Sequence, residues 1–434
     1  MLAVLLVAAA GCASPTSVRI SEQPTPPVER TLPAIDTLRV ERAVVSSEAP
    51  WLETESERNF VRAREAYWNR RTDEAVALWR GLLIRTNSKT SVDLIFPGFI
   101  LQAYEEDGRW ADALAVGREF GVDQTHPQRL ATARTLADVV PPLFEFQPGA
   151  PELGFELRRE QLVLARGRLN GHPARFFLDT GFSRTFVAAA FARKAGLQLR
   201  AGAVFINDSH SREREARWAV TSDLSIAGMT VRGLPVVVGD VGKLSRIVGE
   251  VDVVLGWDVL QHTDVSWNFP DRLLRITRPE GQPGPAPVLS GRQAPILRMV
   301  SPDGHPLELF LDTGFAPRPA SVTFNRNARL LDSHIARGRF RRGLAPSFSS
   351  GMYSVGLRWP RVARNFPLWF DGWELTMPRA TVRSRVEVRE GLQACDGMIG
   401  NAPFLGGTLR LNAQARLASF SPAARGTAVA SATE

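Results

Sequence analysis

Residues 171–182 read GHPARFFLDTGF and residues 304–315 read GHPLELFLDTGF, and nine of these twelve positions are identical. A turn dipeptide sits at the start of each stretch, Asn170-Gly171 or Asp303-Gly304. Apolar runs flank both, for example Leu162-Val163-Leu164 and Ile296-Leu297. A strand, a Gly-containing turn and a second strand form a β-hairpin. Each copy is therefore predicted to be a hairpin whose second strand ends in the loop Asp179-Thr180-Gly181 or Asp312-Thr313-Gly314.

Working outward, a second pair of matching motifs follows. Residues 251–256 are VDVVLG and residues 395–400 are CDGMIG. From Gly256 and Gly400 the two copies hold one register without a gap to Ile276 and Phe420. In that register Asn268 aligns with Asn412, Arg272 with Arg416 and Leu273 with Leu417. Two motifs in the same order with a sustained register point to an internal duplication. The Pro/Gly-rich link from Pro279 to Pro287 divides the copies.

An apolar strand, Asp-Thr-Gly, and further on two apolar residues before a glycine resemble the half-site of aspartic peptidases, in particular the bacterial retropepsin-like group. The resemblance covers roughly residues 158–421. It implies a mainly β chain with duplicated aspartic-protease-like β-barrel lobes. It also implies that Asp179 and Asp312, one from each lobe, form a catalytic dyad. Two carboxylates held close cannot both ionise easily, so they share a proton and one serves as base while the other serves as acid. By the same resemblance Thr180 and Thr313 hydrogen-bond to the opposite loop, Gly181 and Gly314 admit the tight turn, and Gly256 and Gly400 lie where a second strand passes the aspartate loop. Such chemistry needs no metal and no cofactor. A hairpin between the two motifs would close over substrate, near Gly202–Trp218 in the first copy and Gly343–Trp359 in the second. The chain departs from the family pattern after Asp-Thr-Gly, where Phe182 and Phe315 replace the usual small residue.

The rest of the chain sets the context. Before the duplicated region, residues 53–140 have apolar positions at helical spacing: Ala63, Ala66 and Tyr67, then Ala75, Leu78, Trp79 and Leu82. Ala103 and Tyr104 begin a second version, with Tyr104 standing 37 positions after Tyr67. This is near a tetratricopeptide period, so a small tetratricopeptide-like helical subdomain, or a generic helical one, is expected. Pro97-Gly98 interrupts its pattern. Residues 1–12 end in Ala9-Ala10-Gly11-Cys12, which resembles a bacterial lipoprotein signal with Cys12 as the lipidated residue. Residues 13–52, rich in Pro, Ser, Thr and charge, read as a disordered tether. The lobes are placed at 156–278 and 288–421, and 422–434 is read as a disordered tail.

The 434 residues carry a net charge of +8, spread along the chain with no Lys/Arg block, so nucleic-acid binding is not expected. Two cysteines make no disulfide framework, and six scattered histidines make no metal motif. The expected partners are a protein or peptide substrate, the membrane through a lipid on Cys12, and a protein partner for residues 53–137. The expected location is the periplasmic side of the cell envelope, the outer membrane by preference. The competing expectations are a non-catalytic peptide-binding lipoprotein on the same scaffold and an envelope lipoprotein whose helical segment is its working part.

Overall fold

The computed structural model describes residues 55–86, 91–122, 125–207, 213–242, 244–282, 288–290, 292, 294–316, 322–324, 340–342, 347–350, 355–358, 360–382 and 395–423. The expectations for the signal with Cys12, the tether, most of the tail and the tips of both candidate flaps fall outside these residues. Among the described residues no helix is long and apolar enough to cross a membrane.

Among the described residues five helices come first: α1 (Glu55–Trp68), α2 (Thr72–Thr86), α3 (Ser91–Glu106), α4 (Trp110–Phe120) and α5 (Pro127–Leu136). Each packs on the next. Alanines on the inner faces (Ala63, Ala66, Ala75, Ala103 and Ala113) are fully buried and let the axes approach, while Trp79 and Tyr67 fill the space between. Gly117 serves the same end, since a Cβ there would overlap Leu130. The expected break at Pro97-Gly98 does not occur, because α3 runs through Pro97. Proline removes one backbone donor, but Phe96, Ile100 and Leu101 on either side are buried and hold the helix in place. Gly98 makes room for the His126 ring.

The remainder is mainly β. In the first half, strand Leu162–Leu169 pairs antiparallel with His172–Leu178. Asn170 and Gly171 both have positive φ, 48° and 75°, the two-residue turn that an Asn-Gly dipeptide favours. The second hairpin, Ile296–Val300 with Pro306–Leu311, closes through a longer loop, with Val300 opposite Pro306. Here only the glycine of Asp303-Gly304 has positive φ, and Ser301 N–H bonds the His305 carbonyl. After each hairpin a later strand slots in parallel beside the aspartate strand. Leu255 stands opposite Leu178, and Ile399 opposite Leu311.

The two halves meet edge to edge. Strand Asp264–Asn268 pairs antiparallel with Gly407–Asn412, with Ser266 opposite Arg410 at the centre. Asp264 is buried there and accepts hydrogen bonds from the Arg410 guanidinium and the Asn412 amide. One apolar cluster runs from Phe155 through Trp257 and Trp267 in the first half to Leu409 and Phe420 in the second. The halves thus share a core.

The helices are docked on both halves by arginines. Arg292, 2% exposed, donates to the Tyr67 carbonyl and the Thr72 hydroxyl, and pairs with Asp107 and Glu106. Its guanidinium lies 4.9 Å from the Tyr67 ring centroid. Arg70 reaches Gln261, and Arg416 reaches Asn69. Removing a buried cation that leaves a largely buried carboxylate, here Glu106, without its counter-charge costs far more than breaking a surface pair. Arg292→Ala is therefore expected to lower unfolding free energy by about 3 kcal/mol, measured by urea denaturation. A change under about 0.5 kcal/mol, the level of an exposed pair, would mean that the docking is loose.

Candidate active site

Two apolar strands deliver the two aspartates. Phe176, Phe177 and Leu178 are buried, as are Leu309, Phe310 and Leu311, so on each strand the aspartate is where buried apolar side chains give way to polar ones. The backbone then repeats bond for bond. Asp179 N–H donates to the Leu255 carbonyl at 3.0 Å, and Asp312 N–H to the Ile399 carbonyl at 2.9 Å. Gly181 N–H bonds Asp179 Oδ1 at 2.8 Å, and Gly314 N–H bonds Asp312 Oδ1 at 3.0 Å.

The threonines tie the loops together. Thr180 Oγ1 donates to the Leu311 carbonyl at 2.6 Å and accepts the Thr313 N–H at 3.1 Å. Thr313 Oγ1 donates to the Leu178 carbonyl at 2.9 Å and accepts the Thr180 N–H at 3.0 Å. Both hydroxyls are buried and use their donor and an acceptor position fully across the interface.

Each carboxylate sits over the other loop's glycine. A Cβ on Gly181 would lie 2.5 Å from Asp312 Oδ1, and one on Gly314 would overlap the Asp179 carboxylate. Glycine is therefore required at both places for contact, not only for the turn. Gly256 and Gly400 are equally confined, since a Cβ would press on the carbonyl of Phe182 or overlap that of Phe315.

Asp179 is 5% exposed. Burial pushes its carboxyl well above the usual range, the negative charge of Asp312 pushes it further, and the N–H groups of Gly181 and Gly314 oppose the rise. Two acids this close titrate as a pair, and the pair holds a proton to a higher pH than an isolated aspartate does. That arrangement can take a proton from a water and lend one to a carbonyl oxygen.

Behind the Asp179 loop lies a network whose acid, Asp258, the sequence did not single out. Asp258, 7% exposed, accepts the Thr185 N–H at 2.9 Å and the Thr185 hydroxyl at 2.8 Å. Thr185 Oγ1 in turn accepts the Gly256 N–H at 3.2 Å. Burial raises the Asp258 carboxyl, and the Arg184 charge and the Thr185 bonds oppose the rise. The second half is built differently: buried Asn401 donates to the carbonyls of Thr313 and Gln161. Neither Asp258 nor Asn401 has a sequence signal of its own, because the partners lie 73 and 88 positions away. Asp258→Ala leaves two buried donors without an acceptor. It is expected to cost about 2–3 kcal/mol, read as a lowered urea midpoint, whereas a wild-type midpoint would remove Asp258 from the support of the loop.

Phe182 and Phe315 do not meet each other. Phe182 packs in an apolar cluster with Trp110, Phe186 and Trp218, and Phe315 packs against Ala294, Phe310 and Met398. Of the candidate flaps, Leu199–Asn207 and Glu213–Val220 form an antiparallel hairpin in the first half. Ser347–Ser350 and Val355–Arg358 form a separate two-stranded sheet. Among the described residues no group of three or more His, Cys, Asp or Glu is placed to hold a metal ion.

Residues 165–259 match the aspartyl protease family model. This span holds the Asp179 loop and Gly256 and ends before the Asp312 loop. Among solved structures the chain is similar to a retropepsin-like aspartic protease from Rickettsia conorii. The identity is 16%, over 32% of this chain and 95% of that one, with a TM-score of 0.22. No curated protein matches.

Proposed function

We propose that the chain is an aspartic endopeptidase in which Asp179 and Asp312 activate a water for direct attack on a peptide carbonyl, with no acyl-enzyme intermediate. The observation that carries this reading is the reciprocal set of four hydrogen bonds between the Thr180 and Thr313 loops that holds the two carboxylates together. On this reading the two lobes are descendants of one duplicated half, and the helices are a degenerate tetratricopeptide-like pair of hairpins. Both aspartates come from one chain, so a monomer suffices and specific activity is independent of enzyme concentration. The packing of Phe182 and Phe315 into separate clusters leaves the non-catalytic reading without a specific observation in its favour.

The decisive experiment is cleavage of an unstructured protein such as casein across pH by residues 13–434, beside Asp179→Asn and Asp312→Asn. Loss of cleavage in both variants supports the shared dyad, and unchanged cleavage in either sinks it.

The setting is part of the proposal. A lipid on Cys12 would hold the enzyme at the cell envelope, facing extracytoplasmic protein, with residues 13–52 as tether. Incorporation of a fatty-acid probe that disappears in Cys12→Ser supports the anchor, and equal labelling of both proteins refutes it.

A further inference from the structure

The helical segment touches the Asp179 side of the site at one residue in particular. Arg184 stands three positions past Gly181. Its guanidinium donates to the Glu105 carbonyl, in the last turn of α3, at 2.9 Å. It also lies 5.2 Å from the ring centroid of Trp110, the first residue of α4. Trp110 is 2% exposed and packs with its ring centroid 6.4 Å from that of Trp218, in the second strand of the first-half hairpin. The Glu105 carboxylate is in turn held by Arg129 of α5 at 2.6 Å. The α3–α4 corner is therefore wedged between the aspartate loop and the hairpin.

Two further contacts make this a fixed seat. Thr135 of α5 accepts from Arg200 Nε at 2.8 Å through its carbonyl. Its hydroxyl also meets the Ala201 carbonyl at the base of the same hairpin. The next residue after Arg184 is Thr185, whose bonds to Asp258 and Gly256 support the strand that fixes Asp179 N–H. A displacement at Arg184 is passed to the dyad through two residues of backbone and two hydrogen bonds.

We propose that Arg184 is a positioning residue through which the helical segment, as a permanent part of the catalytic unit, holds the Asp179 loop in register with Asp312. This rests on the peptidase reading above. A helical segment serving only as a spacer, or as a piece to be removed before activity, needs no contact with the loop that carries one of the two acids.

The test compares Arg184→Gln and Arg184→Lys with the wild-type chain, using hydrogen exchange and steady-state kinetics. In Arg184→Gln, amide exchange in peptides covering residues 177–186 should speed up at least severalfold, with exchange elsewhere in the lobes unchanged. kcat should fall about tenfold with KM within twofold, because misplacing a catalytic group slows the chemical step without touching substrate binding. Arg184→Lys, which keeps a donor for the Glu105 carbonyl, should recover part of kcat. Unchanged exchange at residues 177–186 would overturn the proposal whatever the activity. A raised KM with unchanged kcat would overturn it too, assigning Arg184 to substrate contact. The exchange readout needs no turnover, so an inactive wild-type chain would count against the peptidase reading and leave the positioning claim to be decided by exchange.

Discussion

Asp179→Asn is expected to cut peptide hydrolysis by roughly 10³-fold or more while making the protein harder to unfold near neutral pH. The rate effect follows from the pair. Asparagine cannot carry the proton that the two acids exchange, and positioned acid–base groups contribute about 10²–10⁴ in rate. The stability effect follows from burial. Folding places Asp179 at 5% exposure beside a second carboxylate and pushes its titration well above the usual range. An unfolded aspartate titrates near pH 3.9, so between that value and the folded one the native state binds the extra proton. The stability tied to that proton is complete below the unfolded value and is lost as pH rises through the folded value. The amide that replaces the carboxyl has no charge to bury, so the Tm of the variant should exceed wild type by a few degrees at pH 7 and match it near pH 3. Thermal melts across pH beside initial cleavage rates check both halves. An active variant would remove Asp179 from the dyad, and a variant less stable at pH 7 would contradict the buried-charge account.

Thr180→Val with Thr313→Val is expected to unfold the protein or leave the lobes unmated. Valine keeps the shape of threonine and removes the hydroxyl. The double change leaves the N–H groups of both residues 180 and 313 and the carbonyls of Leu178 and Leu311 without these partners in a buried interface. At about 1–3 kcal/mol for each stranded group, the sum approaches the 5–15 kcal/mol typical of whole-domain stability. Thr313→Ser keeps the hydroxyl and should retain activity within a fewfold, so loss in the serine variant would point to the methyl rather than the bonds. Urea midpoints and cleavage rates for the single, double and serine forms decide between them.

The half-site elements were legible because the chain states them twice, with GHPxxxFLDTGF followed by the glycine-terminated apolar run in the same order each time. The helical start was legible from the spacing of Ala63, Ala66 and Tyr67, which are all buried on one face. The persistence of α3 through Pro97 was not, since it depends on burial by neighbouring helices that propensity does not see. Asp258, Asn401 and Arg184 were hidden for a related reason. Their meaning lies in partners 73–240 positions away, and a lone Asp after Gly256-Trp257 or a lone Arg in a loop reads as solvated surface until the fold brings the partner. The difference between the two hairpin turns also lay beyond the dipeptides. Asn170 takes positive φ readily, whereas the second copy spends more residues on its turn.

The strand pair at the centre of the molecule carries an instruction about assembly. Ser266 and Arg410 stand opposite each other and occupy the same place in the register that aligns Gly256 with Gly400, so on the proposed duplication a local two-fold axis passes between them. Were two first halves to pair the same way, serine would face serine and Asp264 would lose its guanidinium. Were two second halves to do so, Arg410 would face Arg410, with Thr408 where the acid should be. The sequence difference at this one seam favours unlike halves over like ones. A chain cut in the link between Pro279 and Pro287 should therefore yield two polypeptides that find each other as a one-to-one pair, each discriminating against its own kind.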